Sequence, residues 1–140
     1  MPKVFTSETQ KIGKLGEDIA CIYLKKLGFT VLERNYYKLI GEIDIVAEKQ
    51  GTLHFIEVKS VSCLPDSVSG ETLENKSLLT IKPEDNFTFD KIHKFKKIIS
   101  FYMADKYVSH ETEVQIDLLA LYIDKNTKKA CIKPFWNIIL

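Results

Sequence analysis

Residues 41–60 read GEIDIVAEKQGTLHFIEVKS, two runs of strand-forming residues on either side of Gln50-Gly51. A two-residue turn between such runs closes a β-hairpin. Once Lys49 stands opposite Thr52, every further cross-strand pair is fixed. Asp44 then falls opposite Glu57, and Glu42 opposite Lys59. Directly opposed residues share a face of the sheet, as do residues two apart on one strand. The hairpin register therefore gathers three acids and an amine on one patch. Opposed like charges cost folding free energy, so a chain that keeps them there is expected to hold a cation among them.

The rest of the chain supplies a fold around that hairpin. At 140 residues it is expected to be one domain, residues 1–140, and 45% hydrophobic residues suffice for a packed core. Residues 7–27 carry Ile12, Leu15, Ile19, Ala20, Tyr23 and Leu27 at helical spacing. Ser7 and Gln10 form a capping-box pattern at the start, and Gly28 is placed as the stop. Glu17 falls at the edge of the apolar stripe. Residues 29–37 read as a first strand, and the hairpin strands lie near 40–48 and 52–60. Residues 61–88 are polar and rich in turn formers, which predicts a long loop with a short strand at 78–81. A second helix is expected from Thr88 to Lys106, burying Phe89, Ile92, Phe95, Ile99, Tyr102 and Met103. Strands at 112–123 and 129–135 follow, joined by the polar turn at 124–127. The order αβββαββ predicts an α/β fold, a mixed central sheet flanked by helices.

Composition excludes several classes. No apolar run is long enough to span a bilayer, and the N-terminus MPKVFTSETQ lacks the apolar core of a secretory signal, so a cytoplasmic protein is expected. Cys21, Cys63 and Cys131 are scattered and odd in number, unlike a disulfide framework or a zinc site. His54, His93 and His110 have no metal-ligand spacing. A net charge of +1 means that any surface for nucleic acid must be local. Lys91, Lys94 and Lys97 supply a basic edge on the second helix and are the candidate nucleic-acid contacts.

Asp44, Glu57 and Lys59, spaced D-x12-E-x-K, carry the expected chemistry. An isolated E-x-K in a strand is ordinarily a surface salt bridge. The opposed Asp44 and the flanking Phe55, Ile56 and Val58 point instead to a site. Mg2+ or Mn2+ takes oxygen ligands, often one or two carboxylates with waters. Such an ion acidifies bound water and stabilises a phosphoryl transition state. Lys59 could orient or deprotonate the attacking water.

Taken together, GKLGEDIACIYLKKLGFTVLERNYY, GEIDIVAE and LHFIEVKS resemble the YraN family, small bacterial proteins similar to the archaeal Holliday-junction resolvases within the PD-(D/E)xK nuclease superfamily. The likeness is dense over residues 11–60 and looser over the second helix and the strand after it. It implies a restriction-endonuclease-like fold and Mg2+-dependent hydrolysis of DNA, branched DNA included, by a homodimer. Residue by residue, it implies Glu17 as the helix acid at the edge of the metal site. Asp44 and Glu57 would be metal ligands beside the backbone carbonyl of Val58, and Lys59 the catalytic amine. Asp117 matches a common family acid and is expected to serve structure or support. Where the family carries a basic run after EVK, this chain has Ser60, Val61, Ser62 and Cys63. The alternative function is a nucleic-acid-binding module that keeps the fold with little or no catalysis; a third, a structural protein, would make the acids mere surface charges.

Overall fold

In the computed structural model, which describes residues 8–63, 88–124, 126–127 and 129–138, one mixed sheet separates two helices. The order is α1 (Glu8–Lys26), β1 (Thr30–Lys38), β2 (Gly41–Lys49), β3 (Thr52–Cys63), α2 (Phe89–Asp105), β4 (Glu113–Asp124) and β5 (Ala130–Phe135). The five strands lie in the order β1-β2-β3-β4-β5. All neighbours are antiparallel except β3 and β4. A parallel pair needs a crossover, and α2 lies on the one that joins β3 to β4. This is the αβββαββ mixed α/β fold expected from the sequence.

The hairpin closes as its sequence dictates. Gln50 (φ 51°) and Gly51 (φ 82°) both take positive φ, the backbone of a two-residue turn whose twist matches its strands. It sets Lys49 against Thr52, and the ladder runs on to Ile45 against Ile56. β3 is longer than expected. It continues to Cys63 because every residue from Thr52 to Cys63 pairs with β4, so 61–63 are strand rather than loop. The rest of the expected loop, and the strand at 78–81 within it, lie outside the described residues, as does Ser7.

The core has two layers. On one face α1 places Ala20, Cys21 and Leu24 against Ile45, Ile56, Leu119, Leu121 and Ile123. On the other, α2 places Phe95, Ile98, Ile99 and Tyr102 against Ile43, Val46, Phe55 and Leu118. Leu118 to Ile123 is buried without interruption, the signature of a strand covered on both faces. Two expected core residues lie outside it. Leu27 comes after α1 ends at Lys26, where Gly28 (φ 94°) turns the chain away, and it is exposed. Phe89, the first residue of α2, is 85% exposed. Leu24 and Ile98 take the central places.

α1 lies close to β3 because of Gly16. A Cβ there would overlap Oγ and Cβ of Ser60. Glycine thus brings the helix, and Glu17 with it, down onto the sheet.

Candidate active site

The sheet's regular alternation breaks at Asp44. Ile43 belongs to the α2-side core and Ile45 to the α1-side core, although residues two apart ordinarily share a face. Asp44 has no partner in either ladder of β2. On β1, Asn35 takes φ 53° and is likewise skipped between the pairs Arg34–Ile45 and Tyr36–Ile43. A left-handed residue inside a strand turns the chain over, and such irregularities re-aim side chains next to functional sites. The expected Asp44–Glu57 ladder pair is therefore replaced. Asp44 Oδ2 accepts the N–H of Val58 at 2.8 Å, which ends the ladder with a carboxylate.

Asp44 and Glu57 line one cleft of about 220 Å³, with Glu42, Ile40, Lys91 and Lys94 among its walls. Asp44 is held strongly towards its protonated form, with its pKa pushed up to about 8. Burial is the main cause, the Glu57 charge adds to it, and Glu17 and Glu42 contribute further, against the Val58 hydrogen bond. Three acids thus act on Asp44. α2 supplies the answering charge. Thr88 caps that helix, its Oγ1 accepting the Lys91 N–H at 3.3 Å. From this first turn Lys91 reaches down, and its Nζ donates to Glu57 Oε1 at 2.9 Å.

Glu17 approaches from the α1 side. Burial raises its pKa most, opposed by Arg34 and reinforced by Glu42. Its Oε1 and the Oγ of Ser60 are buried without a hydrogen-bond partner among the described residues. Such atoms each cost about 1–3 kcal/mol unless something satisfies them.

The predicted residues thus separate into groups. Asp44, Glu57 and Val58 come together, with Glu42 beside them and Glu17 acting through its charge. Lys59 is exposed and, by strand alternation, shares the α2-side face with Glu57; it is not among the cleft's lining residues. Lys91, Lys94 and Lys97 of α2 do not form one edge. Three-residue steps drift by about 60° each around a helix, so Lys91 and Lys94 face the acids while Lys97 lines a different groove. The ion pair of Lys91 with Glu57 is the contact that sequence reasoning missed. A signal was present: Lys91 stands four residues before the buried Phe95, a spacing that puts both on one side of the helix.

The donors suit a hard cation in part. Two carboxylates face one cleft, and an acid oxygen of Glu17 is left unsatisfied. A strand residue points its N–H and C=O to the same edge. The Val58 carbonyl therefore faces the gap beyond the ladder's end, beside Asp44. Among the described residues, however, no three His, Cys, Asp or Glu side chains converge closely enough to hold an ion.

Asp117 belongs elsewhere. It is fully buried, and its carboxylate accepts from Gln115 Nε2 and the Asn137 N–H, each at 2.8 Å, and meets His54 Nδ1 at 2.6 Å. Phe29 packs edge-on against His54 and stacks on Trp136. This network ties the segment after β5 to β3 and β4.

A mixed five-stranded sheet between two helices, with acids at a break in the β2–β3 hairpin, defines a restriction-endonuclease-like α/β protein. The chain belongs to UPF0102, the YraN family, described as an uncharacterised protein family, whose model matches residues 16–121. It is 43% identical to a UPF0102 protein of Helicobacter hepaticus over 91 residues, 65% of this chain and 67% of that one. It is 40% identical to a UPF0102 protein of Campylobacter jejuni subsp. jejuni over 112 residues, 80% and 84% of the two chains. A UPF0102 protein of Dictyoglomus turgidum shares 34% over 114 residues, 81% and 84% of the two chains. No helix among the described residues is long and apolar enough to cross a membrane.

Proposed function

We propose that this protein is a metal-dependent nuclease that hydrolyses DNA phosphodiester bonds. The observation that carries the reading is Asp44, released from both ladders and facing Glu57 across a cleft that a lysine from α2 already enters. Asp44, Glu57 and the Val58 carbonyl would hold Mg2+ or Mn2+, with Glu17 at the edge. Such an ion supplies an acidified water and stabilises charge on a phosphoryl group. The chain's own part is positional. The Val58 N–H fixes the Asp44 carboxylate, and the hairpin fixes its distance along the strand from Glu57. Two amines would be candidates to support the attacking water or offset developing charge. Lys59 lies two residues after Glu57, and Lys91 touches Glu57 directly.

One observation favours the second reading, a nucleic-acid-binding module without catalysis. Lys91 can neutralise Glu57 by itself, a cation built into the fold. Thermal unfolding with and without Mn2+ separates the two. A nuclease centre gains stability with Mn2+ by mass action, and the double variant Asp44→Asn, Glu57→Gln loses that gain. Cleavage of linear and branched DNA, with Lys59→Ala and Lys91→Ala compared, then assigns the amine. Metal-independent stability and intact substrates would leave the binding module standing. Gel filtration tests the homodimer that the resolvase likeness implies.

A further inference from the structure

Beyond the acid cleft, across Ile40, the surface changes character. Ile40 lines both that cleft and a second groove of about 610 Å³, whose other walls are His93, Lys96, Lys97, Ser100 and Phe101. None of these residues is acidic. The β1–β2 turn forms one bank of the groove, and Lys38 Nζ lies 5.9 Å from the centre of the Phe101 ring. Apolar side chains here are left in water: Leu39, next to Ile40 in the turn, is 98% exposed, and Phe101 on the groove wall is 44% exposed. Leaving such groups uncovered forgoes burial free energy, and exposed aromatic and apolar groups gathered together mark a binding surface.

The combination narrows the occupant. Lysines answer phosphates, whereas exposed aromatic rings answer the flat faces of bases. In a closed duplex those faces are hidden within the stack, so a duplex would meet only the lysines. An unpaired strand offers both chemistries, and base–aromatic stacking holds it without regard to sequence. We propose that this groove binds single-stranded nucleic acid and feeds it across Ile40 to the acid cleft. The preferred substrate is then DNA with an unpaired arm rather than a blunt duplex. The proposal rests on the nuclease reading for its direction of feed but not for the binding itself.

Fluorescence anisotropy with a labelled oligothymidine and a matched blunt duplex tests it. The wild type should bind the single strand about five-fold or more tighter than the duplex, as one stacked base alone can supply. Phe101→Ala should lose that margin and leave duplex affinity unchanged, while Phe101→Trp restores it. Phe101 is half exposed, and matched thermal unfolding checks that both variants fold. Lys96→Ala with Lys97→Ala should weaken both ligands and flatten the salt dependence. Equal affinity for strand and duplex, or a Phe101→Ala protein that binds the single strand as the wild type does, overturns the proposal. So does a dimer in sedimentation velocity that Phe101→Ala dissociates, because a second copy would then be the occupant. Asp44→Asn should cleave nothing yet bind the single strand as the wild type does. Single-strand binding by a wild-type protein that cleaves nothing with Mn2+ sinks the nuclease reading alone. Duplex cleavage with no single-strand preference sinks this one alone.

Discussion

β3 carries two acid clusters with opposite habits. Near its start, His54 meets Asp117, whose carboxylate takes three hydrogen-bonding partners in a dry setting. Further along, Glu57 and Asp44 share a cleft, Asp44 bonded to the Val58 N–H and Glu57 to Lys91, with other acids close by. Buried polar groups in a finished core are satisfied. The first cluster follows that rule and behaves as a fastening. The second gathers like charges at one cleft, an arrangement commoner at functional sites than in finished cores.

The comparison can be broken most forcefully at Asp117. Asp117→Ala strands His54, Gln115 and the Asn137 N–H, and should cost about 3–5 kcal/mol by urea unfolding. A loss below 1 kcal/mol would remove the fastening role. Asp44→Asn should do the reverse. It should reduce metal-dependent cleavage on the order of 100-fold or more while leaving the folded protein at least as stable. A destabilised Asp44→Asn protein would put the two clusters in one category.

Acidity sharpens the contrast next. Asp44 binds its proton more tightly folded than unfolded, so its contribution to stability is full below pH about 4 and is lost as pH rises towards 8. Without metal, the wild type should lose roughly 2–3 kcal/mol across that window, after discounting for solvent that reaches the cleft. Asp44→Asn should flatten the slope, and Mn2+ should offset the loss at the alkaline end. A wild-type profile no steeper than that of Asp44→Asn would show the acids to be uncoupled. The smallest effect tests the seat of Glu17. Gly16→Ala must push α1 off Ser60 and should cost about 1–3 kcal/mol. An unchanged midpoint would mean that the helix moves freely.

The sequence made the hairpin legible because its turn, pairing and alternation are all local. The α2 core was legible apart from Phe89 and Ile98 for the same reason: helical period names Phe95, Ile99 and Tyr102 without tertiary knowledge. Phe89 and Leu27 were misplaced because periodicity does not say where a helix stops or which end leaves the sheet. The extra reach of β3 was hidden because it depends on β4, some fifty residues away in the chain, laid alongside in parallel. In the candidate site, Asp44, Glu57 and Val58 lie near one another, but the expected ladder pair of Asp44 with Glu57 does not form. The twist at Asn35 that frees Asp44 has no signature in alternation, and the descent of Lys91 onto Glu57 is a contact between elements 34 residues apart.

Loop tips are ordinarily where chains accept extra residues most readily. Gln50-Gly51 is exposed and short, and by that measure a natural place for an insertion or a tag. One added residue that moved β3 by a single step would turn every side chain of that strand to the opposite face. Phe55 would leave the α2-side core, and Glu57 would face α1, away from Asp44 and Lys91. The length of this turn is thus as much an inherited part of the site as any carboxylate. Relatives and engineered variants should vary in its composition, provided that positive φ is kept, long before they vary in its count.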